Sequence, residues 1–170
     1  MPVTGERHFS SSVHREKLVE HLFLGALLRH FWVTGAGNID VLKPEVDRAG
    51  YDVVLEKDHI ARHVQLKTSI KKSRDTSVSI NTELASHPSG CVIWIVVNDK
   101  LEFQQFLWFG AAPGLSLPDL SKFKQAKRTR ANARGIKSER LNTKVIPKSG
   151  FRPVLGMREI SERLFGKNAH

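Results

Sequence analysis

A chain of 170 residues with 40% hydrophobic and 26% charged side chains holds enough apolar material for one core of ordinary size, and its composition excludes collagen, coiled coil and wholesale disorder. Its single cysteine, Cys91, excludes an intramolecular disulfide and a multi-cysteine zinc site. The net charge of +10 is concentrated between Ser121 and Gly150, where ten basic residues face one acid, Glu139, so a polyanionic partner is expected and nucleic acid suits it better than a membrane.

Met1 to Ser12 is polar and lacks the regions of an export signal, so a cytoplasmic location is expected. Val13 to Phe31 reads as a helix whose apolar residues, among them Leu18, Val19, Leu22, Phe23, Leu24, Leu27 and Leu28, are too many for a narrow stripe. It should therefore be largely buried, and Gly25 in its middle predicts the close approach of another backbone. A loop from Thr34 to Asn38 leads to a short β candidate, Ile39 to Leu42, and then to turn-prone residues up to Gly50. Tyr51 to Glu56 and Ile60 to Thr68 are β-rich and separated by Lys57-Asp58-His59, the spacing of an antiparallel hairpin. In the second run Ile60, Val64 and Leu66 alternate with His63, Gln65 and Lys67, which predicts a core face and a polar face.

Thr76 to Ile80 is a third strand candidate, and Asn81 to His87 a short helix or turn. Cys91 to Val97 is continuously apolar, as a strand covered on both faces should be, yet far short of the roughly 20 residues of a membrane span. Leu101 to Phe109 follows as its hairpin partner. In the basic segment the expected elements are a helix from Leu120 to Arg134 and a short strand from Thr143 to Ile146. A closing helix runs from Met157 to Phe165, with Gly166 as its cap. The order predicts a single α/β domain with a mixed central sheet: a core at about 13–110, then a basic extension and closing helix at about 118–166.

Common catalytic motifs fall away quickly. Gly35-Ala36-Gly37 lacks the third glycine of a dinucleotide fingerprint, because Asp40 stands in its place. Gly114-Leu115-Ser116-Leu117-Pro118 lacks the closing glycine of a nucleophile elbow. What remains is Asp52, followed thirteen residues later by Gln65 and then Lys67 on the neighbouring strand. Gln65 and Lys67 share a face, about 7 Å apart along the strand, and pair an oxygen donor with an ammonium group. Hydrolysis of a phosphodiester uses both, since a hard cation takes oxygen ligands and a lysine stabilises developing charge. Asp47 is the rival carboxylate, and His63 is given no role.

From about Val13 to Val97 this arrangement resembles the PD-(D/E)xK phosphodiesterase superfamily, which includes many restriction endonucleases, archaeal Holliday-junction resolvases and some homing endonucleases. The resemblance implies a restriction-endonuclease-like αβββαβ core with its sheet flanked by helices. Asp52 matches the metal-binding aspartate, Gln65 the variable second position and Lys67 the catalytic lysine. Glu20 matches the helix glutamate, with Glu16 one turn earlier as the alternative. Tyr51 stands where the family has proline, and glutamine replaces the commoner acid. The implied chemistry is DNA hydrolysis with one Mg²⁺ or Mn²⁺, held by Asp52, the side-chain oxygen of Gln65 and the backbone carbonyl of Leu66. Glu20 would act directly or through water, and Lys67 would face the attacking water. Lys124, Lys127, Arg128, Arg130, Arg134, Lys137 and Arg140 are the expected contacts to the phosphates of duplex or branched DNA, bound by a possible homodimer. The alternatives are an inactive nucleic-acid-binding module of the same fold and an RNA-binding protein acting through its basic arm.

Overall fold

The computed structural model describes residues 12–46, 50–127 and 139–167. In chain order its elements are α1 (Ser12–Thr34), β1 (Asp40–Leu42), β2 (Val53–Lys57), β3 (Ile60–Ile70), β4 (Ser77–Asn81), a 3-10 turn (Thr82–Ser86), β5 (Cys91–Val97), β6 (Phe103–Gly110), β7 (Lys124–Lys127), β8 (Glu139–Pro147), a second 3-10 turn (Lys148–Gly150), β9 (Arg152–Val154) and α2 (Met157–Phe165). Six strands form a mixed sheet in the order β1-β2-β3-β5-β6-β9, and β4, β8 and β7 form a second, antiparallel sheet. The expected α/β class is found. Among the described residues no helix is long and apolar enough to cross a membrane.

The hairpin between β2 and β3 turns on Asp58 and His59, both in the left-handed region (φ 49° and 66°), the geometry that follows the right-handed twist of two paired strands. β3 then pairs in parallel with β5, from Val64↔Cys91 to Ile70↔Val97. A parallel pair needs a crossover, and here β4 and the first 3-10 turn supply it. All seven residues of β5 are buried. Cys91, Ile93, Ile95 and Val97 enter a core with α1 and α2, while Val92, Trp94 and Val96 enter a second core beneath the small sheet. Each large side chain removed from water in this way contributes roughly 1.5–3 kcal/mol.

Several expectations are corrected. The Thr76 to Ile80 strand exists as β4, but it lies in the second sheet. Among the described residues helices flank one face of the six-stranded sheet, and the second sheet packs on the other. The polar face of β3 is consequently covered: Gln65 and Ser69 are buried, and Ser69 accepts a hydrogen bond from the indole N–H of Trp94 at 2.7 Å. Arg62, on the core face, is buried as well.

No helix begins at Leu120. Lys124–Lys127 is a strand paired with β8, and the Gln125 side-chain amide bonds the Arg140 carbonyl, so cross-strand pairing overrides local helix preference. The rest of that expected helix, from Arg128, lies outside the described residues.

α1 is only partly buried. Val19, Phe23, Leu24, Leu27 and Phe31 face the core, whereas Leu18, Leu22, Leu28 and Trp32 are exposed. Gly25 is on the open side, and among the described residues nothing lies within 4 Å of where a Cβ would stand, so none of their backbones approaches it. α2 has the expected bounds, and Gly166 (φ 93°) ends it with its N–H bonded to the Glu162 carbonyl at 2.9 Å.

Candidate active site at the entry to β2

Asp52 immediately precedes β2, and two hydrogen bonds fix it to β3. Its N–H donates to the Val64 carbonyl at 2.9 Å, and its carboxylate Oδ2 accepts from the Leu66 N–H at 2.6 Å. The two bonds bracket Gln65, so residues far apart in the chain become neighbours. Lys67 follows on the same face of the strand as Gln65, half-buried.

The surroundings explain why the chain bends here. Gly50 takes φ 76°, a conformation side chains disfavour, and a Cβ on it would come within 2.9 Å of the Leu84 nitrogen. That contact presses the segment before Asp52 against the first 3-10 turn. Asn81 caps the same turn, its side chain accepting from the Glu83 N–H at 3.0 Å. The Asn81 N–H in turn donates to Gln65 Oε1 at 3.3 Å. The Gln65 amide oxygen therefore points toward the second sheet.

Glu20 is buried, as its apolar neighbours on the helix suggest, and its charge is met by ammonium groups. It pairs with Lys17 at 3.0 Å and closely with Lys43, just beyond β1. Burial opposes the charged form, but the two lysines outweigh it and hold the carboxyl below its ordinary pKa. α1 packs on the face of the sheet that carries Val53 and Val64, opposite to that of Gln65 and Asn81. Glu16 is exposed, and Asp47 lies outside the described residues.

Asp52, Gln65 and the Leu66 carbonyl carry oxygens of the kind hard cations take, and of these the Gln65 oxygen accepts from the Asn81 N–H. Among the described residues no group of three or more His, Cys, Asp and Glu side chains could hold a metal. A cation at this corner would thus lean on amide and backbone oxygen. Of the basic residues expected to meet nucleic acid, Lys124, Lys127 and Arg140 are exposed on the second sheet, and Arg128, Arg130, Arg134 and Lys137 lie outside the described residues.

Two participants escaped sequence reasoning. Asn81 carried a usable signal, since an Asn two residues before Glu83 is a helix-start pattern, but nothing linked it to Gln65. The other is a ring cluster beside Asp52, in which Tyr51, His63 and His87 lie 4.7 to 5.1 Å apart, the two imidazoles stacked. His63 is further fixed by a contact of Nδ1 with the Pro88 carbonyl at 3.1 Å.

No protein-family model and no curated protein matches the chain. Among solved structures it is similar to that of a bacterial homing endonuclease, with 20% sequence identity and a TM-score of 0.38, over 75% of this chain and 86% of that one. A likeness at that distance bears no weight on activity.

Proposed function

We propose that this protein is a divalent-metal-dependent phosphodiesterase acting on DNA, with Asp52, Gln65 and Lys67 at its centre. The observation that supports the reading is the bond to the Asp52 carboxylate from the N–H of Leu66, the residue between Gln65 and Lys67 on β3. Asp52, Gln65 Oε1 and the Leu66 carbonyl would hold Mg²⁺ or Mn²⁺. Bound there, the ion would supply Lewis-acid stabilisation of the scissile phosphate. Lys67 balances charge growing on the phosphate oxygens and orients the attacking water. Because Gln65 is neutral, the protein ligands carry little negative charge, and tight metal binding awaits the substrate phosphate. Glu20 serves from the helix by anchoring Lys17 and Lys43.

Lys124, Lys127 and Arg140, with Arg128, Arg130, Arg134 and Lys137, contact the backbone of duplex or branched DNA with a steep salt dependence. Cutting both strands of a duplex requires two centres, which a homodimer supplies.

The test is incubation of wild type, Asp52→Ala and Lys67→Ala with supercoiled and branched DNA in Mg²⁺, Mn²⁺ or EDTA. Nicking is expected only for wild type with metal; metal-dependent nicking that persists in both purified variants overturns the assignment.

A second reading is a non-catalytic DNA-binding module, favoured by the engagement of Gln65 Oε1 with Asn81 and by the lysines sealing Glu20. It predicts identical DNA affinity with metal and with EDTA.

A further inference from the structure

Away from this corner, a cleft of about 810 Å³ opens between the chain leaving β6, β9 and α2. Asp52, Gln65 and Lys67 take no part in its walls. One side is apolar and stiff, made by Ala111, Ala112, Pro113 and Pro118, and the rim carries the exposed cations Lys122, Arg152 and Lys167. Two acids also reach it, but both are engaged. Glu159 pairs with Arg163 at 3.1 Å and accepts the Leu155 N–H at 2.9 Å, and Glu162 pairs with Arg158 at 3.2 Å. Among the described residues the ion pairs leave out Lys122, Arg152 and Lys167, so the rim is cationic.

A second observation lies behind the wall. Arg62 is fully buried; its Nη2 donates to the carbonyl of Ala111 at 3.0 Å, and its guanidinium stacks 5.4 Å from the ring of Trp108. Both partners line the cleft. Among the described residues Nε and Nη1 of Arg62 meet no oxygen or nitrogen acceptor. The thiol of Cys91 hydrogen-bonds with the guanidinium, but burial pushes its pKa up to about 11, so it stays neutral and meets the charge only as a weak acceptor. A buried cation without a carboxylate is costly, and its field reaches through a thin wall of low dielectric.

We infer that this cleft binds a nucleoside phosphate, with the phosphoryl group held by Lys122, Arg152 and Lys167 and the nucleoside laid against Ala111, Pro113 and Pro118. The space far exceeds what a bare phosphate fills and falls in the range of small-molecule sites, roughly 300–1,000 Å³. Anion and apolar body are both provided for. The site is independent of the proposed catalytic centre, and the nucleotide can arrive free or as one unit of a strand.

Calorimetric titration of the full chain with a nucleoside 5′-monophosphate, with inorganic phosphate and with a short single-stranded oligonucleotide separates these cases. The monophosphate should bind at least about tenfold more tightly than phosphate. The double variant Arg152→Ala/Lys167→Ala, both surface positions, should weaken that binding at least about tenfold, while Asp52→Ala should bind as wild type does. If only the oligonucleotide responds to the double variant, the ligand is a strand unit, and the inference stands with that source. If phosphate binds as tightly as the nucleotide, if nothing binds, or if the double variant leaves every titration unchanged, the inference fails whatever the fate of the nuclease reading.

Discussion

Glu20 and Asp52 are both carboxylates on the six-stranded sheet and its covering helix, yet different chemistry answers their charge. Glu20 is buried between two ammonium groups, Lys17 and Lys43, which hold its pKa down against the pull of burial. Asp52 is half-buried, and the Leu66 N–H orients it. Two lysines cancel the charge of Glu20; at Asp52 a backbone N–H fixes the direction of the carboxylate. The helix side of the molecule therefore has a lock that serves stability, and the entry to β2 has an acid oriented by the strand beside it.

Substitution at Asp52 should give the largest effect. Asp52→Asn keeps an acceptor for the Leu66 N–H but loses the charge, so DNA nicking should fall by at least about 10³-fold with the melting temperature nearly unchanged. Asp52→Ala should lose as much activity and in addition about 1 kcal/mol of stability, because the Leu66 donor is left without its partner. Quantitative nicking assays beside thermal melts decide it. An active Asp52→Asn would show that the position serves geometry alone and would erase the contrast with Glu20.

Next in size is DNA affinity. Replacing Lys124, Lys127 and Arg140 by Ala should lower it, and the slope of log K against log salt should shrink by about 0.9 for each phosphate contact removed. Binding isotherms at several salt concentrations measure this, and nicking at saturating DNA should not change. A fall in the saturated rate would mean that the basic strands belong to the centre.

Glu20→Gln should cost about 1–2 kcal/mol of stability, through two weakened charge-assisted bonds whose lysines can turn to solvent, and should leave nicking within a few-fold of wild type. The pH dependence has a definite sign. With the folded pKa below the ordinary value of 4.5, the unfolded chain takes up the proton first. The contribution of Glu20 is therefore present above that value and disappears as pH falls through the folded pKa. Denaturation curves of wild type and variant should converge in acid. Loss of nicking with unchanged melting would instead place Glu20 among the metal ligands.

What the sequence revealed, and what it hid, follows from the range of the interactions. β5 was legible because seven consecutive apolar residues admit little but a strand covered on both faces, and α2 because its periodicity and Gly166 mark it locally. The neighbourhood of Asp52 and Gln65 followed from hairpin spacing. The second partner of Glu20 did not: Lys17 is one helical turn away, but Lys43 lies 23 residues away on another element. The helix expected at Leu120 failed for the same reason: Lys124–Lys127 has no β character of its own and becomes a strand only because β8 offers it a ladder. Likewise the polar alternation on β3 is read correctly residue by residue, while the sheet that buries it comes from segments distant in the chain.

The smallest predicted effect places the two regions on different parts of the pH scale. Burial lowers the pKa of His63, helped by His87 and Arg62 and opposed by the Pro88 carbonyl. The groups packed around it are Tyr51, His87 and Pro88, so no carboxylate among these rewards the imidazolium. As pH falls through the ordinary histidine value of 6.5, the unfolded state binds the proton before the folded one, and stability declines. His63→Phe keeps a ring against Tyr51 and His87 but cannot titrate. Its melting temperature should fall less than that of wild type between pH 7 and 5, although its value at pH 8 is lower for want of the Pro88 contact. The Asp52 corner would then loosen in mildly acidic solution, where Glu20 still holds its lysines, and the Glu20 lock only in stronger acid. Parallel pH profiles for wild type and His63→Phe would remove His63 as the source of that difference and leave the corner no more sensitive to neutral pH than the helix face.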